Sequence, residues 1–303
     1  MRVSTVVLVL ALTIGLAVIS GCGNGNTSEP ANTNTSTNTN ANTNDNTNEG
    51  SAATSKILQD AIASKELVIG TSNDAPWSSV AQSGEAEGII PDMLRSFLEA
   101  QNITADIKSI AMPFGSLIPS IQSGRIQIVG DAMYRTDERE KIIDFTDILF
   151  YNPEALVIQQ GNPDGISSLE DLAGKTAGTY EGTVWVDTLK SITGADGSKT
   201  KVNVYPTVQD VIADLESGRL AGALIDSSLT GYAKHQNPNL KIEMSTDYKP
   251  EKAAVANALG IAKGDPEFLA AFNEWYAKAY DDGEITQIFE KWGLAPAGYW
   301  LDK

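Results

Sequence analysis

Cysteine and histidine are almost missing from this 303-residue chain, with one of each, Cys22 and His235. A single cysteine excludes an internal disulfide, and no cluster of residues has metal-ligand spacing. Positive charge is scarce as well: 22 Lys and Arg stand against 39 Asp and Glu, for a formal net charge of −17. That balance argues against nucleic acid or an anionic membrane surface as a partner of the protein surface. It need not describe a ligand, because a local cleft can oppose the global charge. There is no Gly-x-Ser-x-Gly, no phosphate loop and no nucleophile beside His235. His235 falls at the end of a predicted helix, where a histidine suits the helix dipole. No enzyme chemistry, cofactor or metal is expected from these residues.

Long hydrophobic runs are also lacking. The longest, residues 6–19 after Arg2, is too short for a bilayer span of about 20 residues and reads as the apolar core of a secretory leader, residues 1–21. Residues 22–55 follow as Cys22 and a low-complexity stretch of repeated Asn-Thr. So little there can be buried that ordering entropy goes unopposed, and a disordered tether is expected. An aggregation-prone Asn-rich tract is the weaker reading, because Thr, Pro, Gly and Asp interrupt it.

Residues 56–303 are enough for two lobes. Ile118-Pro119-Ser120-Ile121-Gln122-Ser123-Gly124-Arg125-Ile126 is echoed by Ile212-Ala213-Asp214-Leu215-Glu216-Ser217-Gly218-Arg219-Leu220. Each reads as an amphipathic helix, a Ser-Gly-Arg turn and an apolar strand, which suggests one α/β plan used twice. Lobe 1 is expected to comprise 56–151 and 248–303, and lobe 2 residues 152–247. Two crossover strands, near 147–158 and from Tyr248-Lys249-Pro250 to about Ala254, would join them as a hinge. The predicted architecture is thus α/β, two lobes with a ligand cleft between them.

Candidate ligand-binding residues cluster where predicted strands end, because the carboxyl ends of strands face the crevice in open α/β sheets. The strand at 66–70 runs into Thr71-Ser72-Asn73-Asp74-Ala75-Pro76-Trp77, which offers Asp74 and an aromatic, Trp77, that either faces ligand or packs in the core. The strand at 126–129 delivers Asp131, Tyr134 and then Arg139, in the first turn of a helix capped by Thr136. The fork of an arginine suits a carboxylate; an ion pair with Glu138 or Asp144 is the ordinary alternative. In lobe 2, Tyr180-Glu181-Gly182-Thr183-Val184-Trp185 opens a helix whose free amides attract an anion. Glu181, Thr183 and Trp185 are candidates there, with Trp185 lining the cleft or packing on the helix. Asp226 ends the strand at 220–225, where it binds a ligand ammonium or caps the following helix.

Several motifs carry a resemblance. Met133-Tyr134-Arg135-Thr136-Asp137-Glu138-Arg139 with Ile143-Asp144-Phe145-Thr146 resembles the (M-[ST]-x-T-x-E-R … V-D-F-[ST]) signature of bacterial family 3 solute-binding proteins. Residues 168–175 are similar to the family's (S-L-x-D-L-x-G-K), and Ile19-Ser20-Gly21-Cys22 resembles a lipobox. The resemblance implies a type II periplasmic-binding-protein fold. It also implies a monomeric receptor of an ABC importer, anchored by lipid on Cys22 at the extracytoplasmic face of the membrane, which delivers a small zwitterion to a permease. In that family the counterpart of Asp226 pairs with the ligand's α-ammonium, opposite Arg139. Two departures stand out: Tyr134 replaces Ser or Thr, and Val184 replaces the second hydroxyl of (G-[ST]-[ST]). A more aromatic cleft admits a cationic amino acid or a betaine- or ectoine-like amine. The same fold also serves cyclohexadienyl-dehydratase-like enzymes, for which Glu181 would be the acid, and sensory modules of membrane receptors.

Overall fold

The computed structural model describes residues 54–249, 256–294 and 301. The leader, Cys22 and all but the last residues of the tether lie outside the described residues, as does 250–255, where the second crossover is expected. The described residues form one compact unit.

Helix α1 (Lys56–Ser64) starts at Ser55, whose hydroxyl accepts the Leu58 N–H, and leads into β1 (Glu66–Thr71). A hairpin of β2 (Ser79–Val80) and β3 (Ala86–Glu87) precedes α2 (Ile89–Ala100) and β4 (Asp106–Ala111). The chain continues through α3 (Leu117–Gln122), β5 (Ile128–Val129), β6 (Met133–Tyr134), α4 (Asp137–Glu140), β7 (Asp144–Phe145) and β8 (Phe150–Tyr151). A second run holds β9 (Glu154–Gln159), β10 (Thr176–Tyr180), α5 (Trp185–Ser191), β11 (Lys201–Tyr205), α6 (Val208–Glu216), β12 (Gly222–Asp226), α7 (Ser227–Gln236) and β13 (Ile242–Met244). Then come β14 (Ala256–Ala258), β15 (Gly260–Ile261), α8 (Pro266–Asp281) and α9 (Glu284–Lys291).

Two five-stranded sheets repeat one plan. The first has the order β4-β1-β5-β15-β7 and the second β11-β10-β12-β9-β13. In each, the first three strands are parallel, the fourth is antiparallel to them, and the fifth is antiparallel to the fourth. The sequence echo falls at equivalent places: α3 feeds β5 and α6 feeds β12, the third parallel strand of each sheet. Both turns use a glycine in the left-handed region, Gly124 at φ 70° and Gly218 at φ 75°. Between the sheets lies a small third one, with β14 antiparallel to both β6 and β8. From β8 the chain passes through Asn152 and Pro153 directly into β9, so one crossover is a continuous extended segment.

Aromatic packing holds the first sheet's helices. Phe97 on α2 meets Phe268, Phe272 and Trp275 of α8 at centroid distances of 5.7, 5.1 and 5.6 Å. All are buried, and each such side chain contributes about 1.5–3 kcal/mol by burial. Asp265 caps α8 by accepting the Phe268 N–H, with Pro266 at the first position, as its sequence suggests. Two segments hold little regular structure. Residues 168–175 give one turn of 3-10 helix, Glu170–Leu172, because the Asp171 carboxylate gathers the N–H groups of Ser167 and Ser168 and folds the segment on itself. The strand at 126–129 keeps only Ile128 and Val129: the Ile126 N–H turns back to Ser120 O, and the Gln127 side chain, not its backbone, accepts the Val68 N–H.

Candidate functional site

The ends of β5, β10 and β12 and the loops after them converge on a small cavity lined by Phe114, Ala132, Tyr134, Arg139, Tyr180, Thr183, Val184, Trp185 and Asp226. Five residues singled out from sequence therefore meet: Arg139, Asp226, Tyr134, Thr183 and Trp185. Tyr180 and Phe114 are additions. Tyr180, which the sequence places in the stretch that opens the next helix, is the last residue of β10; Phe114 carried no signal. The gaps between these side chains total about 230 Å³, yet the centre of a water-sized sphere has only about 10 Å³ to move in. That is room for about one water.

Arg139 reaches this space because Thr136 caps α4 by accepting the Arg139 N–H. The guanidinium donates to Tyr134 O at 2.7 Å and to Gly182 O, from the second sheet's side, at 2.9 Å, and its carbon lies 5.7 Å from the Phe114 centroid. Burial lowers it to about 10, which leaves it charged at neutral pH. The ordinary ion-pair alternative is not what forms: Asp144 is taken by Lys263 instead. Two of five guanidinium N–H groups are used, so donors remain for an anion.

Asp226 ends β12 and heads α7, yet its side chain makes no capping bond. One oxygen accepts from Asn152 Nδ2 at 2.6 Å and the other from the Tyr180 hydroxyl at 2.7 Å. Asn152, at the crossover, is the hub: its Oδ1 accepts from Ser228, and its carbonyl from the Tyr134 hydroxyl at 2.7 Å. Burial raises Asp226 to about 7 despite the Tyr180 bond, with Glu154 and Asp131 adding repulsion. Trp185 stands edge-on to Tyr134 and Tyr180, 5.9 and 5.7 Å away, and so both packs and lines the cavity.

Asp74 and Asp131 are buried beside the cavity without lining it. The Ser72 hydroxyl lies 2.6 Å from Asp74 Oδ2 and 2.7 Å from Asp131 Oδ2. Asp131 also accepts the Ser72 N–H at 2.6 Å. Burial and the Asp131 charge hold Asp74 well above the usual carboxylate range; burial raises Asp131 to about 6.

The structure corrects the ligand-facing reading of Trp77. Its ring is stacked on Phe150 at 4.4 Å, edge-on to Phe289, and its indole N–H donates to Ser228 Oγ. An indole enclosed on its faces and with its one donor satisfied packs the junction between the sheets. Glu181 is half-buried at the lip against Gly115 and lies outside the cavity lining. His235 closes α7 as expected and lines a different, larger space of about 640 Å³ with Glu154, Tyr232 and Trp292, of which Arg139 is not part.

The raised carboxyls carry a signed consequence. Their folded form keeps protons that an unfolded chain releases near pH 4, so their ionisation opposes folding as pH rises from about 4 to about 7. In ligand-free protein, Asp226→Asn is expected to flatten the fall of the thermal midpoint between pH 4 and 7. An unchanged slope in a midpoint-versus-pH series would contradict the assignment.

Comparison with known proteins fits this geometry. The model of the bacterial extracellular solute-binding proteins, family 3, matches residues 67–295. The arginine-binding extracellular protein ArtP of Bacillus subtilis (strain 168) is 28% identical over 229 residues, 75% of this chain and 86% of that protein. A putative ABC transporter arginine-binding protein 2 of Escherichia coli (strain K12) is 29% identical over 219 residues, 72% of this chain and 86% of that one. Among solved structures, an ancestral arginine-binding protein bound to arginine is 28% identical with a TM-score of 0.67, covering 75% of this chain and 98% of its own. The fold is the α/β, two-sheet periplasmic-binding-protein type II fold, and the chain belongs to the bacterial extracellular solute-binding proteins of family 3.

Proposed function

We propose that this chain is the extracytoplasmic receptor of an amino acid ABC importer, and that it carries a cationic amino acid to the permease. The observation that carries the reading is the pairing of Arg139 and Asp226 on one small cavity, one from each side of the cleft. Arg139 would hold the ligand carboxylate and Asp226 its α-ammonium. Tyr134, Tyr180 and Trp185 supply the aromatic walls, with Thr183 beside them; Asp74 and Asp131 supply negative charge for a cationic side chain. Three buried carboxyls against one arginine favour a ligand with a net positive charge over betaine- or ectoine-like amines, and relatives named for arginine point the same way. Lobe 1 as 56–151 with 248–303, and lobe 2 as 152–247, is the division we adopt.

The test is isothermal titration of refolded, ligand-stripped protein with L-arginine, other amino acids, betaine and ectoine. Saturable binding of a basic amino acid is expected. Arg139→Ala and Asp226→Ala should each weaken it by several kcal/mol, because each leaves a buried charge unpaired. Unchanged affinity in both variants would sink the site.

Closure is the second requirement. Gly182 has φ 80°, and a Cβ there would lie 2.5 Å from Gly115 Cα across the lips. A Cβ on Gly115 would meet nothing nearer than 3.4 Å. Gly182→Ala is therefore expected to lower affinity at least tenfold and to enlarge the radius of gyration of the liganded protein in small-angle scattering, whereas Gly115→Ala stays near the parent.

Outside the described residues, we read residues 1–21 as a leader, Cys22 as a lipidated anchor and the Asn-Thr stretch as a tether for a monomeric domain. More than one acyl chain is needed for stable anchoring. Cys22→Ser should move the protein from the membrane fraction to the medium or periplasm; unchanged fractionation would remove the anchor.

A further inference from the structure

The Ser72 hydroxyl, 2.6 Å from one carboxyl oxygen of Asp74 and 2.7 Å from one of Asp131, has a single proton to give. It donates to one of these oxygens only. The other can approach so closely only by donating a proton of its own, so one of the two carboxyls is an acid. Neighbouring donors decide which. Asp131 Oδ2 receives the Ser72 backbone N–H, and its Oδ1 lies 3.0 Å from the Thr71 hydroxyl. The Asp74 side chain has the Ser72 hydroxyl alone among the described hydrogen bonds. The proton therefore sits on Asp74, which donates to Ser72 Oγ, and the Ser72 proton points to Asp131. Burial and the Asp131 charge act in the same direction, holding Asp74 well above the usual carboxylate range.

We infer that Ser72 and Asp131 keep a proton on Asp74 in the ligand-free cleft, and that a cationic side chain expels it on binding, so that uptake of a cationic amino acid releases a proton that uptake of a neutral one does not. The inference rests on the receptor reading above. Asp131 and Ser72 are positioning residues in it: they set the state of Asp74 without touching ligand. In the step, the Asp74 O–H breaks, the proton leaves to solvent, and the carboxylate pairs with the incoming cation; no other bond changes. Ser72 then swings its hydroxyl proton from Asp131 to Asp74.

The charged and titratable groups facing Asp74 are Asp131 after β5, Asp226 at the end of β12 and Tyr180 at the end of β10. Arg139, from α4, acts on Asp226, Tyr134 and Tyr180. Among the described residues no cation is thus committed to Asp74, and a ligand cation would be the first.

The experiment is calorimetric titration of the ligand-stripped chain with L-arginine and L-glutamine, from pH 5 to 8, in buffers of differing ionisation enthalpy. Any proton that Asp226 gives up to solvent on pairing with the α-ammonium is common to both ligands, so the difference between them isolates Asp74. Arginine is expected to release close to one proton more than glutamine. The arginine-to-glutamine affinity ratio should then rise by about tenfold per pH unit where Asp74 is protonated. Asp74→Asn should abolish the difference. Asp131→Asn should move the rise to lower pH, and Ser72→Ala provides a second, smaller change if that variant folds poorly. Equal proton release for the two ligands, or an Asp131→Asn profile that overlays the parent, overturns the inference and leaves the receptor reading intact. Binding of no amino acid at all overturns both.

Discussion

The constraint on which this structure turns is the removal of carboxyl groups from water. Asp74, Asp131 and Asp226 are each at least nine-tenths buried at strand ends, and one guanidinium, Arg139, is buried with them. Ionised carboxylates in such a place are costly unless each is given donors or a counter-charge. The chain provides donors: Tyr180 and Asn152 for Asp226, the Ser72 N–H and hydroxyl for Asp131. It does not provide enough positive charge, and burial pushes all three upward. A fold built for stability alone would replace such groups by apolar ones, often with a gain. Keeping them makes sense where a mobile cation completes the set.

The same shortage of charge connects the hinge to the site. Asn152 lies in the extended crossover between β8 and β9, and it touches Asp226, Ser228 and Tyr134 at once. Trp77 reaches Ser228 from the first sheet's side, and Phe150, two residues before Asn152, supports the Trp77 ring. The segment that must bend if the sheets part is thus bonded to the acid that would hold a ligand ammonium. Any change in the charge of Asp226 alters the partners of Asn152, which is a physical route from ligand to hinge rather than a mere proximity.

Much of this plan was legible in the sequence. Arg139, Asp226, Tyr134, Thr183 and Trp185 follow from reading strand ends and helix starts, and the Ser-Gly-Arg echo anticipates two sheets of one plan. Where reading failed, the reason is tertiary. Trp77 looks like Trp185 in sequence, an aromatic one turn past a strand. What separates them is Phe150, some seventy residues away, which encloses one ring and not the other. Tyr180 and Asn152 are ordinary residues until the folding of β9 against β12 places Glu154 opposite Asp226. The Ser72 bridge is invisible to spacing for the same reason: Asp74 and Asp131 come from loops 57 residues apart, and only the parallel pairing of β1 with β5 sets them on either side of one hydroxyl.

The contracted cavity bears on how selectivity would arise. With room for about one water, the cavity is complementary to no amino acid as it stands, and Arg139 donates to the Tyr134 and Gly182 carbonyls. A ligand shifts such an equilibrium only by what it gains in one state over the other. Contacts with one lobe alone are available in the open state too and favour neither. The contacts that favour closure are those needing both sides: a carboxylate on Arg139 together with an ammonium on Asp226, and the lip where Gly115 and Gly182 meet without side chains. A molecule that carries one of the two charges leaves a buried partner unanswered when the lips close. The discrimination then comes from the cost of burying an unpaired group, not from the fit of the walls.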